Sequence, residues 1–82
     1  MQLKGVLMHT ITIRLNSIDK VKEFVRVITN FDNDFDVRSG RYTVDGKSIL
    51  GIFSLDLARP LELDIYGDNI DAVVEALQPF TV

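Results

Sequence analysis

Three groups of residues in this chain have types and spacing that suggest chemistry. Gly46-Lys47-Ser48 reads like the end of a phosphate-binding loop. The single histidine, His9, offers an imidazole to a proton, a phosphoryl group or a metal ion. Asp32, Asp34 and Asp36 alternate as the ligands of a calcium loop do. Each weakens once its surroundings are read. Gly40 lies one residue too far upstream of Gly46 for a phosphate loop, and the segment before it reads as a hairpin. His9 has no second histidine, no cysteine and no carboxylate close in sequence, which favours a structural or solvent role. The twelfth position from Asp32 is Thr43, where a bidentate glutamate is needed, and the mid-loop glycine is absent, so the aspartates read as a solvated strand face. No metal or cofactor is expected. What remains is Ser48, poised between a turn and the run Ile49-Leu50-Gly51-Ile52-Phe53-Ser54-Leu55.

The chain that must position this serine is short. With 82 residues, 46% apolar and 26% charged, it has material for a single domain, residues 1–82 with 1–8 as an N-terminal extension, and for one core. Nine basic against twelve acidic residues give net charge −3, which sets it against nucleic-acid phosphates in the absence of a basic patch. No window is apolar enough to cross a bilayer and the start lacks a secretory signal, so a cytoplasmic address is the expectation. Cysteine is absent, and with it any disulfide framework or thiolate site.

Periodicity divides the chain into seven elements. Ile11, Ile13 and Leu15 alternate with Thr10, Thr12 and Arg14, as in a strand with one buried face. From Ile18 the period becomes helical, with Ile18, Val21, Phe24, Val25 and Ile28 on one side and Asn16 or Ser17 as N-cap. Phe35 and Val37 lead through Ser39-Gly40 into Tyr42 and Val44, a hairpin whose inner face these four share. Asp45-Gly46 turns into a two-turn helix beginning at Ser48, although Gly51 disfavours it by about 1 kcal/mol relative to alanine. Leu61, Leu63 and Ile65 form a last strand, and Ile70, Val73, Val74 and Leu77 a last helix. The order β-α-β-β-α-β-α, with strands polar on one side, predicts an α+β open-faced sandwich: three helices on one face of a four-stranded, mainly antiparallel sheet.

This order and the segment Lys47-Ser48-Ile49-Leu50-Gly51-Ile52-Phe53-Ser54-Leu55 resemble HPr, the histidine-containing phosphocarrier family of the bacterial sugar phosphotransferase system. Run without gaps, the resemblance takes in Val21, Phe24, Val25, Ile28, Phe31, Leu63 and Ile65, and covers about residues 9 to 78. It implies a non-enzymatic protein with sugar-transport partners: phosphotransferase-system enzymes, a serine kinase or a transcription regulator. It also implies a loss. Family members that carry phosphate open their first helix with His-Ala-Arg-Pro, and those columns here hold Ser17-Ile18-Asp19-Lys20. The imidazole is gone. A carboxylate replaces the cation, and would repel an incoming phosphoryl group by about 1–4 kcal/mol at close range. Ser17 and Asp19 are therefore expected to be a degenerate phosphohistidine position, and the Ala58-Arg59-Pro60 downstream has no histidine before it.

By the same resemblance Ser48 is a regulatory phosphorylation site and Lys47, Ile49, Leu50 and Phe53 a partner-binding patch. The residues agree in part. At 100° per residue Ile49, Leu50 and Phe53 fall opposite Ile52 and Leu55, so a helix lying on a sheet cannot bury both arcs. Other readings are that Ser48 is a plain N-cap, that a homodimer or the N-terminal segment covers the patch, and that His9 or Ser17 carries phosphate as a non-standard acceptor.

Overall fold

The computed structural model describes residues 8–82. In chain order the elements are β1 (Met8–Ile13), α1 (Ile18–Thr29), β2 (Phe35–Ser39), β3 (Tyr42–Asp45), α2 (Ile49–Phe53), β4 (Leu61–Tyr66) and α3 (Ile70–Ala76), followed by a 3₁₀ turn at Gln78–Phe80. Of the expected N-terminal extension, Met8 opens β1 and the rest lies outside the described residues.

The four strands form one sheet in the order β1-β4-β2-β3, with every neighbouring pair antiparallel. Thus the last strand in sequence sits inside the sheet, between β1 and β2. The three helices cover one face. Ile13, Val37, Leu61, Leu63 and Ile65 from the strands meet Val21, Phe24, Ile28, Ile52, Val73 and Leu77 from the helices and α3's C-cap, all fully buried. Phe80 closes the end of this core edge-on against Phe24, ring centroids 5.8 Å apart. Period-2 and period-3.6 patterns thus converge on one hydrophobic layer, the antiparallel α+β sandwich that the alternation implied.

Two residues depart from their expected burial. Tyr42 shares strand parity with Val44, yet is 68% exposed, because it flanks the Gly40-Arg41 turn at the sheet's end. Ile18, counted on the apolar face of α1, is 63% exposed at the first helical position. Ile11 and Val25 are half-buried rather than sealed. In each case the period is right and the cover is missing or incomplete.

The sheet's other face is polar, and it is organised. Asp64, on the inner strand β4, is buried; it accepts two hydrogen bonds from Arg38 on β2, at 2.7 and 2.9 Å, and one from the Thr10 hydroxyl on β1 at 2.8 Å. Beside them the Tyr66 hydroxyl donates to Asp36 at 3.0 Å. Burial pushes the Asp64 carboxyl up, but the Arg38 and Thr10 hydrogen bonds and the Arg38 charge outweigh it and hold that carboxyl below its ordinary value. The same bonds raise Arg38 against its partial burial.

Candidate functional site

Ser48 stands at the corner between β3 and α2, and the chain reaches it through a tightly bonded turn. The Lys47 N–H donates to the Asp45 carboxylate at 2.9 Å, the Ser48 N–H to the Asp45 carbonyl at 3.0 Å, and the Gly46 N–H to the Phe35 carbonyl at 2.8 Å. Gly46 has no room for a side chain there: a Cβ would lie 2.7 Å from the Phe35 Cβ. Ser48 itself is exposed and extended, and its Oγ accepts from the Gly51 N–H at 3.3 Å, an N-cap. Gly51, unfavourable by helix propensity, has a positional reason. A Cβ on it would lie 3.2 Å from both the Val44 Cβ and the Ser48 Oγ, so the missing side chain lets α2 sit close on β3.

The residues grouped with Ser48 in the sequence separate into different environments. Leu50 is 79% and Phe53 37% exposed on the outer side of α2, while Ile52 is fully buried and Leu55 nearly so. Ile49, expected on the outer side, is half-buried and packs against the core. Lys47, expected to face a partner, points inward: its ammonium donates to the Phe31 carbonyl at 2.7 Å and sits 5.7 Å from the centre of the Phe35 ring. It ties the exit of α1 to the entrance of α2. Nothing in the spacing of Lys47 and Phe31, sixteen residues apart, announces this contact.

The head of α1 carries the second site. Ser17 is its N-cap, accepting from the Lys20 N–H at 3.1 Å, and Asp19 lies in the first turn. A serine cap and a first-turn carboxylate satisfy the helix terminus with the chain's own groups. Lys20 and Lys22 are exposed. His9 lies apart from both heads in the described structure, on β1, where with Ile70, Asp71, Val74, Glu75 and Gln78 it lines a groove against α3. Among the described residues no group of histidine, cysteine and carboxylates could hold a metal ion.

Asp32 and Asp34 are exposed beside Asn33, whose side-chain amide donates to the Tyr66 and Asp68 carbonyls at 2.8 and 2.7 Å, fastening the loop before β2 to the end of β4. Asp36 instead joins the open-face network through Tyr66. That network, and Arg38–Asp64 above all, was missed by sequence reading. Asp64 lies with Glu62 and Tyr66 on the polar side of its strand, so the alternation placed it on the open face and gave no sign of its partners.

The family model described as the PTS HPr component phosphorylation site matches residues 19–81. The chain belongs to the HPr family. Its matched span begins at Asp19, two residues past Ser17. The fold of this HPr-family chain matches the crystal structure of HPr-C-His from Thermoanaerobacter tengcongensis with a TM-score of 0.70 and 27% identity, over 85% of this chain and 84% of that one. It likewise matches the phosphocarrier protein HPr from Bacillus anthracis strain Ames, with a TM-score of 0.71 and 23% identity over 92% and 98% of the two chains. No curated protein matches this sequence. The family places the chain among the phosphocarrier proteins of the phosphotransferase system, which carry phosphate rather than catalyse turnover and act through other proteins of that system. No helix among the described residues is long and apolar enough to cross a membrane.

Proposed function

We propose that this HPr-family chain does not relay phosphate from phosphoenolpyruvate and instead works as a regulatory or docking module. The observation that carries the reading is the head of α1, where the phosphoryl-accepting column holds Ser17 as a satisfied N-cap and Asp19 stands where an anion would need a cation. A serine hydroxyl lacks the imidazole's nucleophilicity near neutral pH, and Asp19 opposes the charge of the donor.

The docking surface in this reading is the outer side of α2. Leu50 and Phe53 expose apolar surface around an anchor of the aromatic type that dominates interface energetics, with Ile49 supporting them from below. Ser48 sits at the edge of that patch, so a phosphate on it would place about two negative charges beside Leu50 and Phe53. Lys47 would not be its counter-ion, being held by the Phe31 carbonyl. Phosphorylation would act by changing what the patch can touch rather than by rearranging the domain. The partners are proteins of the phosphotransferase system, a serine kinase or a transcription regulator, and the setting is cytoplasmic.

The experiment is incubation with phosphoenolpyruvate and the system's first enzyme, followed by intact mass measurement. The expected mass is unchanged. An added phosphoryl group that is acid-labile and disappears in His9→Ala would replace this reading with a phosphocarrier using a non-standard acceptor. A parallel incubation with the family's serine kinase and ATP should modify the wild-type chain and spare Ser48→Ala.

A further inference from the structure

Sheet order leaves two outer edges, β3 and β1. The β3 edge is guarded in the usual way: it is four residues long, preceded by Arg41 and closed by Asp45. The β1 edge carries no such guard, since Met8–Ile13 includes neither a charged residue nor a proline.

The chain's own C-terminus demonstrates what this edge accepts. The Arg14 N–H donates to the Phe80 carbonyl at 2.9 Å, the Val82 N–H donates to the Thr12 carbonyl at 3.1 Å, and Ile13 bridges Thr81 in antiparallel fashion. Thr12 and Arg14 therefore turn their backbone polar groups outward. By the two-residue period of a strand, so do Thr10 and Met8. Past Val82, no described residue pairs with that outward edge.

A groove runs beside it. Because the Thr10 side chain reaches Asp64 on the open face, His9 projects to the helix side, where it joins α3 in lining a depression of about 530 Å³. Half-buried Ile70 and Val74 give it an apolar floor; Asp71 and Glu75, four residues apart and so neighbours on one flank of α3, give it an acidic wall. Among the described residues no lysine or arginine lines it.

We propose that the β1 edge from Met8 to Ile11 receives an extended segment of a partner protein, antiparallel to β1 and carrying both apolar and basic residues on the face it turns toward α3. Backbone pairing to Thr10 and Met8 continues the ladder begun by Thr81 and Val82. At every second position the guest turns toward α3, where its apolar side chains cover Ile70 and Val74 and its lysines or arginines meet Asp71 and Glu75. This surface is separate from α2, and the proposal stands whether or not α2 docks a regulator.

The test uses the full chain, isotopically labelled, with two blocked hexapeptides as probes, each with threonine on one face and valine, a charged residue and valine on the other, the charged residue being lysine in one and glutamate in the other. Exchange of the Thr10 amide should slow about tenfold or more with the lysine peptide, which should bind about tenfold tighter than the glutamate peptide. In Asp71→Lys/Glu75→Lys, two exposed substitutions, the preference should reverse. Failure of the lysine peptide to protect Thr10 would overturn the proposal. So would protection already present in the free chain and lost on deleting residues 1–7, which would make the occupant the chain's own N-terminal segment. Protection that rises with protein concentration alongside a dimer mass would overturn it in favour of a second copy, and peptide-induced shifts confined to Leu50 and Phe53 would assign the binding to α2.

Discussion

The two helix heads use the same cap and are suited to different tasks. Ser17 and Ser48 each lie in extended backbone and each accept from the N–H three residues on, at 3.1 and 3.3 Å. At α1 the next turn brings a carboxylate, Asp19, into the position an anion would want, ahead of a twelve-residue helix whose terminus is thereby satisfied. At α2 the first turn has no acidic residue, and the exposed neighbours are Leu50 and Phe53. Capping chemistry alone therefore does not make an anion site. The charge and surface of the following turn differ between the two heads: a carboxylate at α1, exposed apolar side chains at α2.

The comparison breaks most severely at Gly46. Replacement by valine forces a branched side chain against Phe35, and should destabilise by roughly 3 kcal/mol or more, toward the upper end for overpacking. Amide spectra should show α2 displaced and the head of α1 undisturbed; equal disturbance of both would mean that the heads are not independent.

Next comes the sheet face beneath neither head. Asp64→Asn should cost about 1–3 kcal/mol by urea unfolding, nearer the low end because water reaches part of Arg38 and can replace some of its bonds. The pH dependence has a definite sign. Since the native carboxyl lies below its ordinary value, its stabilisation is complete above about pH 3.9, the unfolded value, and is lost as pH falls through the native value. The variant should lack that part of the acid limb, while Ser17→Ala should retain it.

Ser17→Ala should then cost about 1 kcal/mol through the loss of the α1 cap, measured by thermal or urea unfolding. Ser48→Ala should cost less, because it frays a five-residue helix already held by the burial of Ile52. Equal costs would remove the distinction between a cap that supports a long helix and one that mainly presents a hydroxyl.

Leu50→Asp should have the smallest effect on stability, within about 0.5 kcal/mol for a side chain 79% exposed, yet should sharply weaken capture of an α2 partner in a binding assay. Retained capture would move the docking surface elsewhere.

Much of the fold was readable because strands and helices write different periods into the chain. β2 and β3 showed themselves through Phe35, Val37 and Val44 with a glycine turn between them, and α1 through Val21, Phe24 and Ile28. The cap at Ser48 and the exposure of Leu50 were readable, since a short helix cannot bury opposite arcs. Lys47 was not. Its direction depends on Phe31 and Phe35 arriving beside it, and a long flexible side chain carries no periodic mark of where its charge will settle. Ile18 and Tyr42 were misjudged for a related reason: a period says which way a residue points, not whether anything lies over it.

By itself the sequence determined the order of the elements, their inner faces and the absence of a histidine at the head of α1, all of which depend on residue type and near-neighbour spacing. The tertiary structure decided that β4 lies inside the sheet, that Asp64 meets Arg38 and Thr10 from strands on either side, and that Lys47 turns away from Ser48. Those outcomes depend on contacts between residues far apart in the chain, where the energy of a pairing is set by which surfaces close over it and by how much water they leave behind.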